Sequence, residues 1–174
     1  MTTEHTEHTK HTGQPATDDD VATIAKLVEK ASIALVTTVA PDGSLVSRPL
    51  AVQQRDFDGD LWFFTEDPSP KTDQVRANEQ VNVALQAGHG WLSISGRGSV
   101  SKDPAKIDEL WNTGAEAWFE QGREDPAVAL LRVEAQTAEY WTSKSPMVVT
   151  LAKYAKAAVT GGRPDIGESK VVEL

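Results

Sequence analysis

Three residues after the apolar run Trp62-Phe63-Phe64-Thr65, the chain reads Ser69-Pro70-Lys71-Thr72. The order is strand, loop, helix start. A helix start presents unpaired N–H groups and a partial positive charge, which suits a phosphate. Ser69 and Thr72 can add hydroxyl donors, and Lys71 a point charge. The same residues also suit an ordinary serine cap with a surface lysine. Arg48, in Val46-Ser47-Arg48-Pro49-Leu50, is the second cation of interest. A mid-strand arginine either runs out to solvent or reaches an anion. Pro49 removes a backbone donor, so its strand is an edge or is locally irregular. Both outcomes stay open on local grounds.

Other chemistries find less support. There are no cysteines, which removes disulfides, thiolate nucleophiles and Cys-based zinc sites. His5, His8 and His11 recur every three residues in a polar tail, where weak metal binding and plain solvation are the alternatives. No metal site is expected. His89, between Gly88 and Gly90, is the remaining histidine, and nothing marks a buried carboxylate to make it a triad base. Gly96-Arg97-Gly98-Ser99 lacks the third glycine of a dinucleotide fingerprint and sits in a strand pattern. Catalytic side chains are therefore not assigned. The formal net charge of −9 repels nucleic acid, although local cations can still hold a small anion. Five tryptophans are present: Trp62, Trp91, Trp111, Trp118 and Trp141. The first, second and third suit core or dimer packing. Trp118 and Trp141, in loop or strand-end contexts, can also stack on a planar ligand.

The elements that must carry these residues are short. The 174 residues, 39% hydrophobic and 25% charged, suit one globular domain. Residues 1–16 are expected to be a disordered polar tail and 17–174 the folded domain. Asp18-Asp19-Asp20 opens a helix whose stripe is Val21, Ile24, Leu27 and Val28, ending near Lys30. Strands are expected over 33–39, 45–54 and 61–65. The turns at 40–44 and 56–60 would make two consecutive hairpins, an antiparallel meander. A short helix over 70–78 follows, then strands over 81–87 and 91–101. Asp103-Pro104 starts another helix, with Ile107, Leu110 and Trp111 inward. A loop at 120–126 leads to closing strands over 129–136 and 137–141. A last helix over 147–160 stops at Gly161-Gly162. The pattern predicts a mostly β, α+β fold: an antiparallel barrel with peripheral helices. No apolar run approaches the roughly 18 residues that span a bilayer. The N-terminus lacks a signal pattern, so the expected location is cytoplasmic and off the membrane.

The ordered set of these pieces resembles the pyridoxamine 5′-phosphate oxidase-like superfamily. It runs Leu35-Val36-Thr37-Thr38, Ser47-Arg48-Pro49-Leu50, Leu61-Trp62-Phe63-Phe64-Thr65, Ser69-Pro70-Lys71 and Val81-Asn82-Val83. Leu92-Ser93-Ile94-Ser95-Gly96, Lys106 to Trp111 and Ala138-Glu139-Tyr140-Trp141 are similar to its bacterial general stress protein branch. The resemblance implies a split β-barrel, a homodimer and FMN in clefts at the dimer interface. Arg48 and Lys71 would hold the phosphate, with Ser69 as hydroxyl donor beside Pro70. Ser47, Pro49 and Leu50 would run along the flavin, and Phe64 and Thr65 would line the cleft. Trp141 and Trp118 would close over the ring from the partner chain. FAD and the deazaflavin F420 are the alternative cofactors. Pyridoxamine phosphate oxidases end in an arginine-rich aromatic segment, whereas this chain ends Lys170-Val171-Val172-Glu173-Leu174. The resemblance thus implies a stress-linked FMN oxidoreductase acting on another small molecule, or a non-catalytic flavin reservoir or sensor.

Overall fold

The computed structural model describes residues 13–53, 57–142 and 168–174. His5, His8, His11 and the helix expected over 147–160 lie outside the described residues. Helix α1 (Asp18–Lys30) begins where its acidic run predicts. Thr17 caps it, and Asp20 returns a bond to the Thr17 backbone, so two orphan donors are satisfied. Its inward residues Ile24, Leu27 and Val28 are buried, each worth about 1.5–3 kcal/mol of apolar transfer.

The described residues form eight strands in one mixed sheet. They are β1 (Gln14–Pro15), β2 (Ile33–Val39), β3 (Leu45–Ala51), β4 (Asp60–Glu66), β5 (Gln80–Ala87), β6 (Gly90–Ser101), β7 (Val128–Thr142) and β8 (Glu168–Glu173). The order is β1-β8-β7-β6-β5-β2-β3, and β4 pairs with β7. The β1–β8 pair is parallel; the other ladders are antiparallel. Gln14–Pro15 thus joins the sheet from within the stretch that the sequence assigns to a polar tail.

Three expectations are corrected. The hairpin at 40–44 forms, with Gly43 at φ 83°, but the second hairpin does not. β4 leaves β3 and pairs with β7 from Asp60↔Glu134 to Glu66↔Val128. Leu61, Phe63, Phe64 and Thr65 are all buried, so both faces of β4 need cover, whereas β3 alternates half-buried and exposed residues. A strand apolar on both faces goes between layers rather than beside an edge. Secondly, the two closing strands are one, β7, whose start pairs with β4 and whose end pairs with β8. Thirdly, the sheet does not close through β3 and β4 by a ladder; Gln53 N–H to the Trp62 carbonyl at 3.3 Å joins the two segments.

The register of β6 on β7 shifts between Ser95 and Gly96. A Cβ on Gly96 would lie 2.0 Å from the Glu134 carbonyl oxygen, so only glycine fits this bulge. Gly98 likewise leaves room for Val81 and Val75. The glycines of the rejected dinucleotide pattern therefore serve packing.

Helices α2 (Pro70–Ala77), α3 (Pro104–Leu110) and α4 (Thr113–Trp118) complete the described fold. A three-residue 3₁₀ turn at Gly122–Glu124 interrupts the loop expected at 120–126. The main core lies between α1, α2 and the sheet, around Val36, Phe63, Val83 and Ile94. A second core joins Phe64, Ile107, Ala115, Phe119, Val128 and Leu130. It holds α3 and α4 on the outer side of β4. No described helix is long and apolar enough to cross a membrane.

Candidate functional site

β3, β4, the start of α2 and the end of α4 surround a cleft of about 360 Å³. β3 contributes Arg48, Pro49 and Leu50, and β4 contributes Phe64, Thr65 and Glu66. Lys71 enters from α2, and Trp118 and Phe119 from the end of α4. The sequence-predicted residues Arg48, Pro49, Leu50, Phe64, Thr65, Lys71 and Trp118 are thereby brought together.

Arg48 is held without a carboxylate. Its Nη1 donates to Thr38 Oγ1 (2.8 Å) and its Nη2 to Gln74 Oε1 (2.9 Å). Thr38 Oγ1 in turn donates to Gln74 Oε1 (2.6 Å). Thr38 is fully buried on β2, diagonal to Arg48 across the β2–β3 ladder, where side chains still reach one another. Among the described residues, neither Arg48 nor Lys71 forms an ion pair. Burial draws the Arg48 guanidinium below its usual pKa range. Burial likewise lowers Lys71; nearby Glu66 opposes the shift and the Arg48 charge adds to it. Two desolvated cations that repel each other form a place where an anion is favoured on both counts.

Ser69 serves mainly as a cap. Its side chain accepts from the Thr72 N–H (3.5 Å) and from Lys71 Nζ (3.4 Å), while its own N–H donates to Thr72 Oγ1 (2.9 Å). Thr72 is buried, and its hydroxyl donates to the Ser69 carbonyl (2.8 Å), so it is spent on the capping box rather than offered to a ligand. Pro70 has no N–H, which leaves the Lys71 backbone amide as the donor of this first turn.

The loop before α2 is fixed by Asp67. Arg76 grips its carboxylate with both terminal nitrogens, at 2.7 and 2.9 Å. Lys102 lies 3.3 Å from the same carboxylate and also bonds the Asp67 and Pro126 carbonyls. The Arg76 hydrogen bonds hold the Asp67 carboxyl well below the usual range. Arg76 is thus committed to structure and does not face the cleft.

Beyond Ser69 and Pro70, which form the cap beside the cleft and not its lining, two more predicted residues stand elsewhere. Ser47 points to the other face of β3 and shares a hydrogen bond with Thr37 (2.8 Å). Trp141 pairs with Trp91 across β6 and β7, and does not line the cleft of its own chain. Conversely, the sequence singled out neither Thr38, Gln74 nor Phe119. Gln74 had a signal, since it lies three residues after Lys71 on the same helical face. Thr38 had one only after the β2–β3 register was known. Phe119 holds the cleft wall by edge packing on Phe64 (6.3 Å between ring centroids), whose ring also meets Trp111 edge-on (5.4 Å).

Comparison with known proteins places this geometry. The chain is 33% identical to protein bli-3 of Neurospora crassa over 138 residues, 73% of this chain and 66% of that protein. It therefore spans just under two thirds of that relative's length. The solved general stress FMN/FAD binding protein of the phytopathogen Xanthomonas citri is 30% identical, with a TM-score of 0.66 over 75% of this chain and 94% of that one. General stress protein 26 of Bacillus anthracis shares the fold at 22% identity, with a TM-score of 0.62 over 69% of this chain and 92% of that one. The family model of pyridoxamine 5′-phosphate oxidase-like proteins matches residues 19–165, and the chain belongs to that family.

Proposed function

We propose that this protein is an FMN-binding oxidoreductase of the split-barrel type that works as a homodimer in stress response. One observation carries the reading: Arg48 and Lys71 face an aromatic-walled cleft, are partly desolvated and form no ion pair among the described residues, although the Glu66 carboxylate lies near Lys71. Such a pair fits a phosphate, and Leu50, Phe64 and Trp118 fit a flat ring system beside it. The cleft of about 360 Å³ continues, through Pro49, Leu50, Phe64 and Trp118, into a chamber of about 760 Å³ that leaves room for the ring. When bound, the flavin would supply the electron transfer; the protein would bind the phosphate, orient the ring and exclude water.

Exposed apolar residues support the dimer. Ile33, Leu35, Trp91 and Trp118 are each at least half exposed, and Trp141 is 39% exposed. A second copy would cover them and let the partner's Trp141 cap the ring. FMN is favoured over F420, because Arg76 is tied to Asp67 and cannot serve a longer acidic tail.

The test is the absorbance spectrum of the purified protein, with mass spectrometry of what denaturation releases. FMN, or tight FMN uptake by the colourless protein, is the expected result. A protein that stays colourless and does not take up FMN would overturn the assignment. Steady-state NAD(P)H oxidation by the holoprotein then separates an enzyme from a reservoir; no turnover with any acceptor would remove the oxidoreductase assignment.

A further inference from the structure

A buried hydroxyl stands behind the two cations of the cleft. The inward residues of β2 are Ala34, Val36 and Thr38, and all three are buried. The apolar pattern of that face suits a valine at 38, which has the same β-branched shape. Threonine instead brings a hydroxyl into the core, and a buried hydroxyl is costly unless it is bonded.

Among the described residues, both bonds of that hydroxyl serve the cleft. Arg48 Nη1 donates to Thr38 Oγ1 (2.8 Å), and Thr38 Oγ1 donates to Gln74 Oε1 (2.6 Å). Arg48 Nη2 donates to the same Gln74 oxygen (2.9 Å). The directions are forced. A guanidinium only donates, so the single hydroxyl hydrogen of Thr38 goes to Gln74, whose oxygen must turn toward both. β2, β3 and α2 thus supply one corner each of a closed triangle. Lys71 lies close enough for its charge and that of Arg48 to repel, and an arginine without this hold would turn out to solvent.

We infer that Thr38 is a positioning residue of the phosphate grip: without touching the ligand, its hydroxyl sets Arg48 in the cleft before the phosphate arrives. The inference rests on the proposed binding of FMN. Each engaged nitrogen of Arg48 keeps a second hydrogen and Nε keeps its own, so the guanidinium remains a donor to an anion. Ordering a long side chain at the moment of binding weakens affinity, and an arginine ordered in advance avoids that loss.

The experiment compares two variants of the full chain. Thr38→Val keeps the shape and removes the hydroxyl, whereas Thr38→Ser keeps the hydroxyl and removes a methyl group. FMN and riboflavin affinities are measured by flavin fluorescence titration, beside the thermal midpoint of each variant. Thr38→Val should weaken FMN binding by about three- to tenfold and riboflavin binding by less than about twofold. Thr38→Ser should keep FMN affinity within about twofold of the wild type, even where its midpoint falls. In an Arg48→Ala background, Thr38→Val should add no further loss, since its action passes through Arg48. Four results show a packing role and overturn the inference, with flavin binding by the wild type intact: FMN affinity unchanged in Thr38→Val, an equal loss of both flavins, a Thr38→Val chain that does not fold, or a loss in Thr38→Ser as large as in Thr38→Val. Failure of the wild type to take up FMN overturns the flavin assignment, and the inference with it.

Discussion

Two charged clusters in this molecule solve opposite problems. Beneath α1, buried Asp20 receives bonds from both Lys170 and Tyr140, with Lys170 Nζ at 2.7 and 2.8 Å from its oxygens, and Thr17 adds two more. The carboxylate there is compensated from every side, and it ties α1 to β7 and to β8. In the cleft, Arg48 and Lys71 bond neutral hydroxyl and amide oxygens instead, with Glu66 near Lys71 but in no ion pair with it. A buried charge without its counter-ion is costly, and a protein keeps one where a ligand supplies the missing charge. The first cluster is compensated within the chain, while the second, under the proposed function, takes its counter-charge from the flavin phosphate.

That contrast makes measurable demands. Arg48→Ala and Lys71→Ala should each weaken FMN binding by about ten- to a hundredfold, because a lost charge-assisted hydrogen bond costs roughly 1.5–3 kcal/mol. Riboflavin, which lacks the phosphate, should lose far less, and isothermal titration with both ligands checks this. Gln74→Glu tests the neutral clasp more finely. It gives Arg48 a carboxylate partner in place, and should lower FMN affinity by about tenfold while sparing riboflavin and the thermal midpoint. FMN affinity unchanged in this variant would mean that the neutrality of Gln74 is incidental.

The compensated cluster predicts a pH effect. The Lys170, Thr17 and Tyr140 bonds hold the Asp20 carboxyl well below its usual range. Its folded-state pKa is therefore lower than the unfolded value of about 3.9. The stabilisation is fully present above that value and is lost as pH falls below it toward the folded pKa. The thermal midpoint of the wild type should exceed that of Asp20→Asn between pH 5 and 7 (pH values near or above the unfolded pKa by roughly one unit or more). The gap should shrink as the pH falls below about 4. A gap that stays constant into acid would show that Asp20 contributes by shape and not by charge. The smallest effect is expected at Ser47→Ala. Its side chain faces Thr37 on the outer face of β3, so FMN affinity should change less than about twofold, as for a surface site.

The sequence carried much of the site but distributed unevenly. Ser69-Pro70-Lys71 was legible because a cap, an N1 proline and a cation are local events. Arg48 was visible as a mid-strand cation, but the signal did not say whether it faced solvent. Thr38 and Gln74, which answer that, lie 10 residues before and 26 after it in the chain. The misplaced second hairpin has the same origin. Turn chemistry at 56–60 suggested a neighbour, while the need of β4 for cover on both faces sent it to β7, with Phe63 paired to Leu131.

By itself, then, the sequence determined the helix starts at 18, 70 and 104, most strands from β2 to β6, the absence of thiol chemistry and the two cations, but not β1, α4 or β8, since composition, periodicity and capping act over a few residues. The tertiary structure alone decided which strands pair, that Arg48 turns inward against neutral partners, that Arg76 is consumed by Asp67, and that Trp118 and Phe119 wall the cleft. Those outcomes depend on contacts between distant segments. They are fixed by the competition of several buried faces for the same partners, which no single segment records.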